Sequence, residues 1–124
     1  MANPSKDRGT RWESACAAFL RAHGFPEVYR MAPTGEFDAG DLGGISTVAF
    51  ECRDRNRMTM AEHVDDANKR AKAKGTPFGI ALVKRRGRTA GAGYAVMDIA
   101  TLSRLLLSLN SKGVVMNTRD IVSD

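Results

Sequence analysis

The chain has 124 residues, a length typical of one domain, and its 43% hydrophobic and 27% charged residues indicate an ordinary soluble protein with one modest core. Residues 1–10 are polar and lack the apolar core of a secretory signal. No apolar run approaches the ~20 residues that span a bilayer, so we expect no membrane segment.

The net charge of +5 is unevenly distributed along the chain. Residues 53–88 carry 11 Lys and Arg against 4 Asp and Glu, a net charge of +7, so the remainder carries −2. A concentrated basic half is typical of proteins that bind a polyanion, most often nucleic acid. The two cysteines, Cys16 and Cys52, have no metal-ligand spacing, and both lie in apolar patterns. We expect buried free thiols in a reducing compartment, the cytoplasm.

The first predicted elements are a flexible arm over residues 1–9 and a helix that begins at Thr10. Apolar residues recur at helical spacing from Trp12, and Gly24 ends the helix. Thr10 and Glu13 have the spacing of a capping box, in which the glutamate bonds back to the cap residue. A short strand over residues 27–32 follows.

Two acidic residues organise the centre of the chain. Asp41 opens an extended stretch, and an apolar strand over residues 45–53 then delivers Glu51. Side chains alternate along a strand, so Glu51 and Arg53 share one face while Phe50 points to the other. If Asp41 lies on a neighbouring strand, its carboxylate reaches Glu51. Paired carboxylates repel unless a hard cation such as Mg²⁺ lies between them, which predicts metal-assisted phosphodiester hydrolysis.

The second half of the chain reads as a helix from a Thr59-x-x-Glu62 capping box to Gly75, then strands over 78–83 and 94–97, then a helix capped by Asp98. His63 fits a partly exposed helix residue better than a metal ligand. The predicted fold class is α/β, a single domain over residues 10–110 with a mixed central sheet flanked by helices in the order αβββαββα. Residues 111–124 form a C-terminal tail.

Asp41 followed by Glu51-Cys52-Arg53 resembles the core motif of the PD-(D/E)XK nucleases, and the chain over residues 9–107 is most similar to the small Holliday junction resolvases of archaea and phages. Gly40 stands where the motif has proline, and Arg53 where lysine is expected. The resemblance implies a restriction-endonuclease-like domain and a Mg²⁺-dependent endodeoxyribonuclease that resolves four-way DNA junctions by paired cuts, with Mn²⁺ able to substitute. If the protein is phage-encoded, it acts in the host cytoplasm.

The resemblance also implies roles for individual residues. Asp41, Glu51 and the main-chain carbonyl of Cys52 are the expected metal ligands, with Asp38 as an alternative. Glu13 matches an acid that the resolvases carry on their first helix, which is compatible with its capping role. Arg53 can stabilise negative charge but is a poor general base. A lysine from another element can fill that place, and the candidates are Lys69 and Lys72.

Basic side chains supply the expected DNA contacts. The resemblance makes Arg30 a phosphate clamp, whereas by itself it reads as a surface cation. The cluster after the fourth strand has four cations in five positions, which favours phosphate contact over a loop kept basic for solubility. The full set predicted to bind DNA comprises Arg30, Arg55, Arg57, Lys69, Lys72, Lys84, Arg85, Arg86 and Arg88.

Two cuts on one junction need two active sites, which predicts a homodimer with two-fold symmetry. The apolar stripe Leu102, Leu105, Leu106, Leu109 is either its interface or the closure of the monomer's own core. Two other functions stay open. One is a different nuclease of the same superfamily, restriction-like or exonucleolytic. The other is a non-catalytic nucleic-acid-binding module in which Arg53 marks a degraded site.

Overall fold

One mixed β-sheet runs through the computed structural model of the chain, which describes residues 4–32, 40–57 and 59–111. The elements in chain order are α1 (Pro4–Ala22), β1 (Tyr29–Arg30), β2 (Leu42–Gly43), β3 (Val48–Arg53), α2 (Met60–Lys74), β4 (Phe78–Val83), β5 (Tyr94–Val96) and α3 (Ile99–Asn110). A single 3₁₀ turn, Ala90–Ala92, precedes β5. The predicted α/β class and the αβββαββα order are confirmed.

The strands lie side by side in the order β1-β2-β3-β4-β5. Only β3 and β4 run parallel among the described neighbours, and α2 supplies the crossover that a parallel pair needs. The register places Glu51 opposite Ala81 and Arg53 opposite Val83. Both functional side chains of the predicted motif therefore lie on the central strand pair, near its carboxyl end.

The helix α1 covers one face of the sheet. Its Trp12 and Cys16 pack in one buried cluster with Phe50 and Cys52 of β3. The indole Nε1 of Trp12, itself only 3% exposed, donates to the main-chain oxygen of Leu82 at 2.9 Å. This bond ties α1 to the neighbouring strand as well. Both cysteines are free and buried, as predicted.

The helix α2 covers the opposite face. Its Ala67 packs in a second cluster with Ala81 and Val83 of β4. A side chain at Gly79 would collide with the main-chain oxygen of Ala67, so glycine at this position lets the helix backbone approach the strand. Small residues on both partners bring the polar side chains of α2 close to β3.

The N-terminal helix corrects the prediction. It begins at Pro4 rather than at Thr10, so the predicted arm over residues 1–9 is helical from Pro4 onward. Thr10 and Glu13 lie inside α1, and Thr10 cannot cap it. Proline suits the first helical position, because its missing N–H has no partner there, and Asp7 in the first turn favours the positive end of the helix dipole.

The caps of the other helices mostly agree with the sequence. Asp98 caps α3 by accepting from Thr101 N at 2.7 Å, and Asn68 of α2 donates to the same carboxylate at 2.9 Å. Gly75 ends α2 in the left-handed conformation, with φ of 75°. Thr59 occupies the N-cap position of α2, but its side chain makes no capping bond, so the predicted box is not formed.

The remaining predictions concern the edges of the fold. The strands β1 and β2 have two residues each, so the predicted strand over 27–32 is shorter than expected. Asp38 and the tail residues 112–124 lie outside the described residues. Within the described ranges, no helix has both the length and the apolar character that crossing a membrane requires.

Candidate active site

Asp41 enters the site from a tight approach between β2 and β3. Gly40 has φ of 119°, and a Cβ on it would lie 2.8 Å from the main-chain oxygen of Phe50, so glycine is required there. Asp41 N donates to that same Phe50 oxygen at 2.8 Å. The Asp41 carboxylate accepts from Cys52 N at 2.7 Å through Oδ2. Backbone contacts on both sides thus fix Asp41 against the end of β3.

Glu51 is buried under two arginines. Only 2% of its side chain is exposed. Oε1 pairs with Arg53 Nη1, and Oε2 accepts from Arg70 Nε at 3.0 Å. A buried carboxylate needs such partners, because desolvation without compensation costs several kcal/mol. The predicted sharing of one strand face is confirmed, since Glu51 and Arg53 both contact α2 while Phe50 packs in the α1 cluster.

The guanidinium of Arg53 lies among the three predicted metal ligands. Its Nη1 is 3.1 Å from the main-chain oxygen of Cys52 and 3.9 Å from Asp41 Oδ2, and it pairs with Glu51 Oε1. All three oxygens therefore converge on one positively charged nitrogen. The second nitrogen, Nη2, donates to Asp66 Oδ2 on α2 at 3.0 Å.

The charge state of Arg53 is fixed by its surroundings. Burial alone would lower the pKa of Arg53, but Glu51, Asp66 and Asp41 raise it above its ordinary value. The side chain is a permanent cation and cannot take a proton from water. The thiol of Cys52 is also chemically silent. Its pKa is raised by a hydrogen bond with Cys16 and by burial, and it faces the core.

Glu13 of α1 lies near the predicted metal ligands. It lines the same cavity as Asp41, and its Oε2 is 3.4 Å from Arg30 Nη1. Burial, followed by the negative charges of Glu51 and Glu13, raises the pKa of Asp41 from 3.8 to about 7, against the lowering effect of the Cys52 N–H. A carboxylate that resists ionisation in this way favours a cation beside it.

The oxygen set fits Mg²⁺. Within the described part of the chain, no group of three or more His, Cys, Asp and Glu side chains is placed to hold a metal ion. The candidate set consists instead of two carboxylates and one main-chain oxygen, all hard donors of the kind that Mg²⁺ prefers. These oxygens already surround a positive charge. A metal ion can take that place only if Arg53 Nη1 moves away from it.

Three cavities extend from the carboxylates along the carboxyl ends of β3 and β4. The acidic cleft, about 270 Å³, is lined by Lys6, Gly9, Thr10, Glu13, Asp41, Cys52, Arg53, Asp54 and Arg55. The linking cavity, about 230 Å³, is lined by Arg8, Asp54, Arg55, Asn56, Lys84, Arg86 and Gly87. The His63 cavity, about 270 Å³, is lined by Arg55, Asn56, His63, Val83, Lys84, Arg85, Arg86 and Tyr94. The first and second cavities share Asp54 and Arg55, and the second and third share Arg55, Asn56, Lys84 and Arg86. We call the three cavities together the basic groove.

The groove collects only part of the predicted DNA-binding set. It includes four of the predicted cations, namely Arg55, Lys84, Arg85 and Arg86. Arg30 reaches the site through Glu13. The other four predicted cations are exposed and line none of these three cavities: Arg57, Lys69, Lys72 and Arg88. Lys6 of α1 is the lysine that lines the acidic cleft among the described residues, and that Lys69 or Lys72 fills the lysine position stays a prediction.

Several functional side chains escaped the sequence analysis. Arg70 and Asp66 bind the central charges from α2, and only the phase of that helix over β3 brings them there. Lys74, in the last turn of α2, donates to Ile45 O at 2.8 Å and to Val48 O at 2.7 Å. His63 was expected to be partly exposed, and it is 2% exposed. Its position beside Val64, at the apolar edge of α2, was the available signal.

Comparisons with models of known protein families, with curated protein sequences and with solved structures found no match. The functional argument therefore rests on the geometry of the acidic cleft and the basic groove.

Proposed function

We propose that the protein is a Mg²⁺-dependent DNA endonuclease that resolves four-way junctions, as the resemblance to the PD-(D/E)XK resolvases implies. One observation carries the proposal: Asp41, Glu51 and the Cys52 carbonyl converge on a single cationic position at one end of a basic groove. Carboxylates beside a phosphate-binding groove are unfavourable unless a cation neutralises them. Metal-assisted hydrolysis of a phosphodiester uses carboxylates that hold a cation beside the reacting phosphate.

The residues around this cationic position have separate roles in the proposed reaction. Asp41, Glu51 and the Cys52 carbonyl would hold Mg²⁺, with Mn²⁺ able to replace it. When bound, the ion supplies an activated water and neutralises charge on the reacting phosphate. Arg53, displaced toward Asp66, contributes a fixed positive charge beside the phosphate and no proton transfer. Glu13 on the cleft wall is the carboxylate placed to accept the proton of the attacking water.

The proposed substrate follows from the cations that line the groove. Its cations contact phosphates, which carry no sequence information. A single small domain that reads backbone position and shape suits a branched DNA better than a specific duplex sequence. Paired cuts on a junction require two sites, so we propose a homodimer. The outer face of α3 supplies apolar surface for it, since Ile99 is 84% and Leu107 65% exposed.

The decisive experiment is cleavage of an end-labelled four-way junction in Mg²⁺. Asp41→Asn should abolish cutting and retain binding, because it removes a ligand charge and keeps an acceptor for Cys52 N. Glu62→Gln, an exposed carboxamide substitution on α2, is the matched control and should cut like the parent chain. Paired symmetrical cuts on the junction, with a linear duplex of the same sequence left intact, support resolution. Cleavage by Asp41→Asn at the parent rate overturns the site.

A non-catalytic DNA-binding module is the second candidate, and the position of Arg53 favours it. A guanidinium among the three oxygens is an internal substitute for a metal ion, and it would let the fold keep its DNA surface without chemistry. Calorimetry separates the two functions. Heat of Mg²⁺ binding that disappears in Asp41→Asn supports the nuclease. Tight junction binding with no Mg²⁺ heat supports the module.

A further inference from the structure

The far end of the basic groove contains a buried histidine with unsatisfied polar atoms. His63 lies in the first turns of α2 and is 2% exposed. Within the described residues, neither Nδ1 nor Nε2 has a hydrogen-bond partner. Leaving a buried donor or acceptor unpaired costs about 1–3 kcal/mol, and native proteins rarely tolerate it without a reason. The ring borders the His63 cavity, from which a partner can come.

The charges around the ring define that partner. Among the described residues, the cavity wall includes Arg55, Lys84, Arg85 and Arg86 and no acidic side chain. The acids that act on the ring, Glu62 and Asp66 of α2, lie outside this wall. Arg85 stacks over the Tyr94 ring at 5.1 Å, and Arg86 donates to Asn56. These contacts hold two of the cations at the wall. A metal ion would be repelled from such a place, whereas an oxyanion would gain charge-assisted hydrogen bonds.

A second unsatisfied donor lies along the same groove. Arg8 Nε is buried without a partner in the described part of the chain, and Arg8 lines the linking cavity. The linking cavity shares Arg55 with both of its neighbours. Two orphaned donors on adjoining basic cavities point to one extended anionic ligand that passes from the acidic cleft to His63.

We propose that the His63 cavity is a phosphate-binding subsite, in which a His63 N–H donates to a non-bridging oxygen of a DNA phosphodiester beyond the one that is cleaved. Arg55 and Lys84 neutralise that phosphate. Burial, and then the charges of Arg53 and Arg55, lower the pKa of His63, so the ring is neutral and keeps one donor. The identity of the ligand as DNA rests on the proposed function.

The chain permits a direct test, because it contains only 2 histidines. In protein labelled with ¹⁵N-histidine, His23→Gln assigns the ring signals, and exposed His23 serves as the internal control. The titrants, all in EDTA, are a short 5′-hydroxyl oligothymidylate, its uncharged methylphosphonate analogue and inorganic phosphate. We expect the oligothymidylate to shift the His63 ring signals and leave those of His23 in place, and the analogue to shift neither.

Affinity gives the second measurement. His63→Ala should weaken oligothymidylate binding about tenfold, the loss of one charge-assisted hydrogen bond, and His23→Gln should not change it. His63 signals that stay fixed under saturating oligothymidylate overturn the subsite, and this needs no variant that folds. If inorganic phosphate shifts the His63 signals and the oligothymidylate does not, the DNA assignment is wrong and the cavity binds free phosphate.

These outcomes are independent of cleavage. If the junction is not cut but His63 responds to the oligothymidylate, the nuclease proposal fails and the His63 cavity remains a phosphate-binding subsite of a non-catalytic DNA-binding module. If the junction is cut and His63 does not respond, only the subsite fails.

Discussion

Arg53 Nη2 donates to Asp66 Oδ2 at 3.0 Å, while the other nitrogen of the same guanidinium lies among the proposed metal ligands. The arginine is thus shared between the site and an acid on α2. In the proposed metal-bound state, Asp66 is the partner toward which Arg53 can move. If Mg²⁺ binds as proposed, this relationship predicts that Asp66 affects the metal affinity without being a ligand.

Asp66→Asn should weaken Mg²⁺ binding about fivefold, because a nearby negative charge is lost and Arg53 loses the partner outside the ligand set. Isothermal calorimetry measures the affinity. Asp65→Asn removes the same charge from an exposed neighbour on α2 and should have little effect. Equal weakening of Mg²⁺ binding by both variants would show that the affinity depends on the net charge of α2 and not on the contact between Asp66 and Arg53.

Arg53→Lys should cut the junction at least as well as the parent chain, since it keeps the charge and restores the residue that the resembled nucleases carry. Arg53→Ala should lower the cleavage rate by about 100-fold, the typical cost of losing a positioned charge in a reacting centre. Both rates come from the labelled-junction assay. An inactive lysine variant together with an active alanine variant would show that Arg53 takes no part in cleavage.

Glu51→Gln should destabilise the fold by about 3 kcal/mol, because it leaves the partly buried Arg53 and Arg70 without their shared counter-charge. Urea denaturation gives the free energy of unfolding. Glu62→Gln, on the exposed side of α2, should change it by less than about 0.5 kcal/mol. A Glu51→Gln protein as stable as its control would mean that the two arginines find other partners.

The raised pKa of Asp41 predicts a pH dependence of stability. Between its ordinary value of 3.8 and about 7, the folded chain keeps a proton on Asp41 that the unfolded chain releases. The free energy of unfolding should therefore fall as pH rises through this window and level off above it. In EDTA, Asp41→Asn should remove this decrease and be the more stable protein above pH 7.

Thermal unfolding across that range, with Asp65→Asn as the control, measures the effect. Parallel pH profiles for the parent chain and Asp41→Asn would contradict it. The result also bears on catalysis, because a variant that gains stability and loses cleavage cannot have lost it by unfolding.

The exposed face of α3 predicts dimerisation. Replacing Ile99 and Leu107 together by glutamate should convert a dimer to a monomer, since charges cannot be buried unpaired in an apolar interface. Both side chains are largely exposed in the single chain, so its own core should tolerate the change. Light scattering at micromolar concentration reports the mass, and Ala73→Glu on the exposed face of α2 is the control. A monomeric parent chain would contradict the prediction.

The sequence predicted those parts of the molecule that short-range patterns determine. The apolar run of β4, the cap at Asp98 and the glycine stop at Gly75 were found at their observed places, because each is a local signal. The start of α1 was missed. The capping-box pattern at Thr10 indicated a later start, although proline at a first helical position is itself a start signal.

The site residues divide in the same way, into those that local patterns predict and those that depend on how the elements pack. Strand alternation was enough to place Glu51 and Arg53 on one face. The contacts of Arg70 and the burial of His63 depend on how α2 is rotated over β3 and β4, which the close approach of Gly79 to Ala67 sets. Helical periodicity shows which residues share a face, but a thin apolar face leaves its rotation on the sheet undetermined.

The indole of Trp12 gives this chain an optical signal of its own. It is the only tryptophan, it is buried, and it joins α1 to Leu82 through its ring nitrogen. Its neighbour in sequence, Glu13, forms part of the acidic cleft. Emission from a shielded indole lies at shorter wavelength than emission from one in water. Fluorescence at a single wavelength therefore reports whether the helix that carries Glu13 is seated on the sheet, without any attached dye.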